Sequence, residues 1–270
     1  MYKNNKKSRF ALSAAAAAAI GALLVADNVR INIEKIQVSL KRLPFEFDGF
    51  SIAHLSDLHL PNCARKPDKL VDIVEKIKPD IIALTGDLVD RFADFDAEGL
   101  SVLASGLAKI APCYAVIGNH EVKLGVFDEW VKILKNAGIT VLGKSPVFIR
   151  RGDSDITLYG LPDGDVTGLP ELDYEVVNIV LSHYPEKMLH YSEAGFDLVL
   201  SGHAHGGQWR LGKHGLISPG EGFFPKYTSG LYHRKNTKMV VSRGLRKGIP
   251  VRILNSPHIP VVILKSIGKR

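Results

Sequence analysis

The sequence predicts an α/β fold, and three observations lead to that prediction. Short apolar runs alternate with segments of helical periodicity from about residue 30 to residue 200. Five of the apolar runs end in short polar clusters that contain Asp, Asn or His. The chain of 270 residues is 46% hydrophobic and 23% charged, which is the composition of a globular protein with a large core. We therefore expect a sheet whose strands are connected by helices.

The predicted elements follow one another in a regular order. Strands are predicted at residues 30–40, 50–55, 80–84, 114–117, 139–142, 147–150, 156–161, 176–181 and 196–200. Helices are predicted at residues 67–77, 97–110, 127–136 and 185–194. The first strand carries one irregularity, because Ile31 and Ile33 are out of phase with Ile36, Val38 and Leu40. No linker or internal repeat divides this region, so residues 29–270 are predicted to form one domain.

Residues 1–28 form a separate segment. Basic residues between positions 3 and 9 precede an uncharged, alanine-rich run at residues 10–26. A basic start followed by an apolar run is typical of a membrane anchor or an export signal. We therefore expect an apolar helix in this segment and a protein that is associated with the cytoplasmic membrane or exported. A soluble alanine-rich helix is the alternative.

Charge and cysteine content exclude two classes of protein. The net charge is +7, but four of the basic residues lie between positions 3 and 9. The remaining basic residues are scattered rather than clustered with aromatic residues, so no specific nucleic-acid partner is expected. Cys63 and Cys113 are the only cysteines, which is too few for a disulfide framework. Each is expected to be a small buried residue.

Residues 201–208 are the most informative stretch. They follow the apolar run at residues 196–200 and place His203 and His205 two positions apart between glycines. On an extended segment such a pair lies on one side of the chain, and glycine lets the backbone approach a bound group closely. The pair therefore suggests metal ligands. From this stretch alone, a loop with solvated histidines is an equal alternative.

Similar polar clusters end the other apolar runs. All the clusters together contain Asp57, His59, Asp87, Asn119, His120, His183, His203 and His205. Because sites in open α/β sheets form at the carboxyl ends of strands, we expect these side chains to converge. Their mixed nitrogen and oxygen donors favour two divalent ions such as Mn, Fe, Zn or Co over Mg or Ca. A single histidine at a strand end is more often structural, but the convergence of five clusters by chance is much rarer.

The order of these residues resembles the signature of the calcineurin-like metallophosphoesterases. That signature reads D-x-H, G-D, G-N-H-[DE], H and G-H-x-H. The matching segments are Asp57-Leu58-His59, Gly86-Asp87, Gly118-Asn119-His120-Glu121, His183 and Gly202-His203-Ala204-His205. Within the family the chain looks like the small bacterial branch of membrane-associated or exported phosphodiesterases, the YaeI/YkuE type. Residues 206–208, 227–231 and 242–244 are similar to later blocks of that branch.

The resemblance implies a four-layer αββα sandwich that binds two metal ions. Carried over by position, one ion is bound by Asp57, His59, Asp87 and His205, and the other by Asp87, Asn119, His183 and His203. The resemblance also implies hydrolysis by a hydroxide shared between the ions. His120 binds neither ion and supplies a proton to the leaving oxygen, or stabilises its charge. Arg65 and Arg91, each shortly after a ligand cluster, are candidate contacts for the substrate phosphate.

The predicted function is that of a metal-dependent phosphodiesterase or pyrophosphate-cleaving hydrolase. The apolar run at residues 10–26 favours a lipid-linked or cell-envelope substrate. A soluble nucleotide phosphodiesterase or nuclease is one alternative. A non-catalytic scaffold of the same fold that binds a partner protein is the other, and the presence of every ligand and of His120 favours the enzyme over it.

Overall fold

The structure is a computed structural model that describes residues 15, 21–22, 25, 28–162, 164–169, 171–218, 221–247 and 251–267. The strands up to residue 201 are β1 (Asn32–Leu40), β2 (Ser51–Leu55), β3 (Ile81–Thr85), β4 (Cys113–Val116), β5 (Thr140–Val141), β6 (Val147–Arg151), β7 (Ser154–Leu161), β8 (Asn178–Ser182) and β9 (Leu198–Ser201). The later strands are β10 (Arg210–Leu211), β11 (His214–Gly215), β12 (Ile217–Ser218), β13 (Gly222–Phe223), β14 (Gly230–Arg234), β15 (Thr237–Val241) and β16 (His258–Ser266). The helices of this part are α1 (Pro67–Ile77), α2 (Ala97–Ala108), α3 (Asn119–Leu124), α4 (Phe127–Asn136) and α5 (Met188–Ala194).

Two six-stranded sheets form the centre of the molecule. The first has the strand order β1-β16-β2-β3-β4-β5, and the second has the order β14-β15-β9-β8-β7-β6. In the first sheet, β2 to β5 run parallel, while β16 lies antiparallel to β2 and parallel to β1. In the second, β7, β8, β9 and β15 run parallel between the antiparallel edge strands β6 and β14. Several parallel strands therefore end at a common edge in each sheet.

The two sheets face each other across a shared apolar core. Ile52 of β2, Leu158 of β7 and Leu200 of β9 belong to this core, and each is at most 1% exposed. The outer face of the first sheet packs against α1, α2 and α4, and the outer face of the second packs against α5. The layer order of helix, sheet, sheet, helix confirms the predicted αββα sandwich.

The strand β3 shows why the central strands have uninterrupted apolar sequences. Ile82 and Leu84 lie in the core between the sheet and the helices, whereas Ile81 and Ala83 lie in the core between the sheets. All five residues of β3 are buried, so an alternating pattern does not arise.

The helices α1 and α4 have the bounds that their periodicity predicts. Pro67 is the first residue of α1, where its missing N–H has no partner to lose, and Lys78 ends the helix in the left-handed conformation. The helix α2 begins where Asp96 accepts a hydrogen bond from the N–H of Gly99 at 2.9 Å, and it is two residues shorter than predicted.

The irregularity predicted in the first strand is wrong. The strand β1 pairs with β16 over nine consecutive residues without a break. Glu34 lies on the same face as Ile36 and Val38, and its Oε2 is 3.1 Å from Nε2 of His258. A polar contact with the buried His258 therefore interrupts the apolar pattern, while Ile33 lies on the other face and is 46% exposed.

The sequence patterns predict no strand beyond residue 200, yet the described residues contain seven of them there. Six of these, β10 to β15, form hairpins or extend the second sheet. The seventh, β16, lies between β1 and β2 in the interior of the first sheet.

The predicted location at the cytoplasmic membrane, or outside the cell, is corrected by the structure. Among the helices of the described residues, none is both long enough and apolar enough to cross a membrane. The predicted apolar helix at residues 10–26 lies outside the described residues, apart from isolated positions.

We propose that residues 29–270 form the folded domain. Within the described part of the chain, the three apolar clusters contain no residue before Ile31. A protein that begins at Asn28 keeps the hydrogen bonds between Asn28 and the backbone of Arg252, at 3.1 Å and 2.9 Å. We expect it to melt cooperatively within about 2 °C of the full-length protein in scanning calorimetry. Loss of the cooperative transition would contradict this domain boundary.

Candidate active site

Five loops carry the predicted ligands, and each loop follows the carboxyl end of a parallel strand. The loops contain Asp57 and His59 after β2, Asp87 after β3, Asn119 and His120 after β4, His183 after β8, and His203 and His205 after β9. All of these side chains except Asn119 belong to residues that are at most 9% exposed. The structure therefore brings the five sequence clusters together at one edge shared by both sheets.

Two groups of three side chains are each arranged so that they could hold a metal ion. The groups are Asp57 with His59 and His205, and Asp87 with His183 and His203. Within each group, one carboxylate oxygen and two imidazole nitrogens lie within 4.8 Å of one another. The mixed set of oxygen and nitrogen donors suits a divalent transition metal ion.

Asp87 lies between the two groups. Its Oδ2 is 3.2 Å from Nε2 of His183 in its own group and 3.8 Å from Nε2 of His59 in the other. Nε2 of His183 is also 4.0 Å from Oδ1 of Asp57. The bridging role of Asp87 stays a prediction.

Several of these donor atoms have no hydrogen-bond partner among the described residues. Both ring nitrogens of His59 and Oδ1 of Asn119 are buried and unpaired. Unpaired buried polar atoms are unfavourable unless a ligand engages them. The donor set and its unpaired atoms therefore fit bound cations.

The ionisation of the histidines also fits bound cations. Burial lowers the pKa of His203 to about 3 and that of His205 well below its usual value, so both rings are neutral, as metal ligands must be. Although burial acts to lower it, the carboxylate of Asp87 raises the pKa of His183 to about 10. The negative charge of Asp87 therefore favours a positive charge beside it, which a bound cation would also supply.

The backbone of the site is strained. Five of the predicted ligands have a left-handed φ, and they are Asp57 (51°), His59 (52°), Asp87 (52°), His203 (65°) and His205 (47°). Residues other than glycine rarely adopt this conformation, and where they do the surrounding structure must hold them in place. Such strain is typical of functional sites, because it directs side chains that a relaxed turn would point elsewhere.

Two glycines allow the ligand loops to approach each other. A Cβ atom at Gly202 would overlap the side chains of Ser56 and Asp57, and one at Gly118 would overlap Asp87. Any larger residue would therefore displace a predicted ligand.

Glu121 joins the loops after β3 and β4, a role that sequence reasoning missed. Its fully buried carboxylate accepts backbone hydrogen bonds from Asp87 (3.1 Å), Leu88 (2.5 Å), Val89 (3.2 Å) and Gly118 (2.8 Å). Its place in the signature marked it as part of the motif, but the sequence contains no signal for these backbone contacts.

His120 lies beside the ligand groups with one ring nitrogen engaged. Its Nδ1 accepts a hydrogen bond from the backbone N–H of Arg91 at 3.1 Å, so the proton of the neutral ring is on Nε2. Burial lowers the pKa of His120 to about 4, despite the opposing charge of Asp87. His59, Asp90 and His120 form a third group of close donor atoms, but the Arg91 N–H already engages Nδ1 of His120.

Asp90 is a second buried acid that sequence reasoning missed. Its Oδ1 is 3.3 Å from Nδ1 of His120, and its Oδ2 accepts hydrogen bonds from Asn62 and Arg246, both at 3.0 Å. Burial acts to raise the pKa of Asp90, but the nearby ring of His59 and the hydrogen bond from Asn62 hold it below the usual value. Asp90 therefore joins Asn62 and Arg246 to the histidines His59 and His120 in one buried polar cluster.

A cavity of about 590 Å³ opens onto this edge of the sheets. Asp87, Asn119, His120, His203 and His205 are among the residues that line it. Of the two arginines predicted to contact substrate, Arg91 also lines the cavity. Arg65 is not among its described lining residues, and its guanidinium donates a hydrogen bond to the carbonyl of Ala64 at 3.0 Å.

Comparisons with known proteins agree with the site. The family model for calcineurin-like phosphoesterases matches residues 50–207, which contain all the predicted ligands. The chain is 31% identical over 222 residues to the metallophosphoesterase YkoQ of Bacillus subtilis, covering 77% of this chain and 81% of that one. It is 30% identical over 238 residues to the phosphodiesterase YaeI of Escherichia coli, covering 83% and 86%. Among solved structures, TT1561 of Thermus thermophilus is similar with a TM-score of 0.49 and 16% identity, over 72% of this chain and 89% of that one.

These matches define a class of enzyme, namely metal-dependent phosphoester hydrolases. The chain belongs to the calcineurin-like phosphoesterase family. The predicted resemblance, the enzyme class and the dependence on divalent metal ions are thereby confirmed. The assignment of individual residues to two ions, and the identity of those ions, stay predictions.

The contacts of Glu121 lead to a prediction about stability. Glu121→Gln replaces one carboxylate oxygen with an NH2 group, which cannot accept hydrogen bonds, so at least one buried N–H loses its partner. We expect the free energy of unfolding to fall by about 2 kcal/mol or more in denaturant titration. The matched control is Glu75→Gln on the exposed face of α1, which should change it by less than about 0.5 kcal/mol. Equal effects of the two substitutions would show that the four backbone contacts of Glu121 contribute nothing to stability.

Proposed function

We propose that the protein hydrolyses phosphodiesters in the cavity beside the two ligand groups. The observation that carries this proposal is the position of Asp87 Oδ2. It lies 3.2 Å from His183 and 3.8 Å from both His59 and His120. A phosphoryl group at this point would meet both proposed ion positions and a hydrogen-bond donor for its leaving oxygen. The name of the relative YaeI, a phosphodiesterase, supports a diester over a monoester.

The proposed ligand sets follow the geometry of the two groups. One ion would be held by Asp57, His59, Asp87 and His205, and the other by Asp87, Asn119, His183 and His203. When bound, Mn, Fe, Zn or Co would supply Lewis acidity to the phosphoryl oxygens and lower the pKa of an attacking water. The protein holds the donors in place through the strained ligand loops and through Glu121.

His120 acts on the leaving oxygen. The N–H of Arg91 fixes the neutral tautomer with its proton on Nε2, and burial disfavours a second proton on the ring. We infer that His120 donates a hydrogen bond from Nε2 to the leaving oxygen as negative charge develops there. The same N–H keeps the ring oriented.

The groups that the phosphodiester joins have two candidates. A lipid-linked or envelope substrate was favoured by residues 10–26 alone, which lie outside the described part of the chain, so that preference loses its basis. A nucleotide diester is the second candidate. It is favoured by Phe92, which lines the cavity, is 71% exposed and offers a ring on which a base can stack.

The presence of both ligand groups and of His120 argues against a purely non-catalytic scaffold.

Metal dependence provides the first test. The full-length protein supplied with Mn should hydrolyse bis-(p-nitrophenyl) phosphate, and a chelator should abolish the rate. Asp87→Asn should lose both bound metal, measured by mass spectrometry of the metal content, and activity, because one carboxylate serves two ions. The control Asp72→Asn changes an exposed carboxylate on α1 and should keep both. Two bound ions and a near-normal rate in Asp87→Asn would show that the bridging assignment is wrong.

Dependence on the leaving group tests His120. A hydrogen bond to the leaving oxygen matters more as that oxygen becomes more basic, and such catalysis contributes about 10²–10⁴-fold. His120→Ala should therefore retain its metal but lose more activity on a diester with an alkyl leaving group than on a nitrophenyl diester. His190→Ala, at an exposed position on α5, is the control and should lose none. Equal losses on the two substrates would exclude the contact between His120 and the leaving oxygen.

A further inference from the structure

The cavity beside the ligand groups has a strongly cationic wall. Among the described residues, its lining contains five cationic side chains, Arg91, Lys123, Arg246, Lys247 and Arg252, and two carboxylates, Asp87 and Glu186. Bound metal ions would add to this positive charge. A single phosphodiester carries one negative charge, so the cavity has more cationic groups than such a substrate requires.

Arg252 is the most informative of these residues. It is 1% exposed, and most of its guanidinium is held by backbone carbonyls. Nε donates to Arg246 at 3.2 Å, and Nη1 donates to Arg243 at 2.9 Å and to Asn255 at 3.4 Å. Nη2 has no hydrogen-bond partner among the described residues. Arg252 also lines the cavity, and Nη2 is its buried guanidinium nitrogen without a partner in the described part of the chain.

The charge of Arg252 also lacks a close counterion. Within the described part of the chain, no carboxylate forms an ion pair with it, and its guanidinium instead lies near those of Arg243 and Arg246. Burial lowers the pKa of Arg252 to about 10, and the charges of Arg243 and Arg246 act in the same direction, while Asp57 and Cys63 oppose them. A buried cation beside other cations is unfavourable unless an anion binds to it.

Arg246 and Arg91 are two further arginines at the cavity, and both are linked to the catalytic centre through their contacts with Asp90 and His120. Arg246 donates from Nη2 to Asp90 at 3.0 Å, and Asp90 lies 3.3 Å from His120. The guanidinium of Arg91 stacks over Phe92 at 4.5 Å, and the backbone of Arg91 contacts His120 directly. In both arginines Nε is buried and has no partner among the described residues. All three arginines line the cavity that His120 also lines, and each has one buried nitrogen without a partner among the described residues.

Backbone contacts hold the segment before Arg246 against the loop that carries Asp57. The N–H of Leu245 donates to the carbonyls of Ser56 and Asp57 at 3.1 Å and 3.0 Å. A Cβ at Gly244 would lie 2.6 Å from Cβ of Asp57, so the segment before Arg246 is in direct contact with the first ligand loop. Arg252 holds that segment from its other side through the carbonyls of Arg243 and Arg246.

We propose that Arg91, Arg246 and Arg252 form a second anion subsite that binds a further phosphoryl group of the substrate. The subsite rests on the proposed hydrolase function and narrows it. The preferred substrates are those with two phosphoryl groups close together, such as pyrophosphate-linked diesters, over diesters with a single phosphorus. Guanidinium groups suit this role because their planar pairs of N–H donors match phosphate oxygens.

The test compares two inhibitors of the Mn-loaded, full-length enzyme. Bis-(p-nitrophenyl) phosphate is the reporter substrate, and the concentration of free Mn is held constant and in excess. Methylphosphonate carries one phosphoryl group, whereas methylenebisphosphonate carries two that cannot be hydrolysed apart. The quantity measured is the inhibition constant of methylphosphonate divided by that of methylenebisphosphonate. Calorimetric titration of the same protein with each compound gives the corresponding ratio of dissociation constants independently of turnover.

We expect the wild-type protein to bind methylenebisphosphonate at least about tenfold more tightly than methylphosphonate. Arg246→Met and Arg252→Met should each reduce this ratio by about tenfold to hundredfold, because each removes hydrogen bonds between charged groups. Arg252→Lys retains the charge and should recover part of the ratio. If Arg252→Met does not fold, the ratios measured for Arg246→Met and Arg91→Met test the subsite in its place. Arg150→Met, at an exposed ion pair with Asp155, is the control and should keep the wild-type ratio.

The possible outcomes separate the subsite from the enzymatic function. A wild-type ratio near one, or a ratio that Arg246→Met and Arg91→Met leave unchanged, would overturn the second subsite while the hydrolase proposal stands. Absence of metal-dependent turnover of the reporter in the wild-type protein would instead contradict the function itself. A ratio that falls only in the arginine variants that line the cavity supports the subsite.

Discussion

The site depends on the carboxylate of Asp87, which is the contact at which the loops of the two sheets meet. Its Oδ1 accepts the backbone N–H of His120 at 2.8 Å, and its own N–H donates to Glu121 at 3.1 Å, so the first sheet fixes its position. Its Oδ2 then faces His183, which comes from the second sheet, at 3.2 Å. Each ligand group contains residues from both sheets, so the packing of the sheets sets the distances within each group, and a shift of one sheet against the other would disrupt both groups.

Holding this carboxylate in place requires local conformations that are unfavourable by themselves. The left-handed backbone at Asp57 and at Asp87 costs about 1–3 kcal/mol at each position, and it persists because buried contacts stabilise it. Glu121 satisfies four backbone N–H groups around Asp87, and the missing Cβ of Gly118 leaves the space that Asp87 occupies. The apolar cores on both faces of β3 keep this strand from relaxing the loop that follows it.

Local patterns predicted the parts of the fold that depend on neighbours in the sequence. The bounds of α1 and α4, the buried strands and the polar residues at their ends all follow from periodicity over a few residues. Contacts between distant segments have no such pattern. Glu34 appeared as a break in a strand because its partner, His258, is more than 200 residues away in sequence. Arg65 and Arg91 have the same signal, an arginine shortly after a ligand cluster, yet only Arg91 lies at the cavity. The roles of Asp90 and Arg252 depend on burial, which composition does not reveal.

The position of β16 has a consequence for how the protein forms. This strand separates β1 from β2 and is made roughly 200 residues after them, so the first sheet is incomplete until the chain has been synthesised through Ser266. Pairings over such separations are slow to form, and until then β2 has an unpaired edge that is open to association with other chains. The segment around Gly244, which supports the Asp57 loop, also lies shortly before β16 in the sequence. We therefore expect the ligand loops to gain their final shape late, once β16 has paired with β1 and β2, so that before this step the chain has no finished site in which to bind a metal ion.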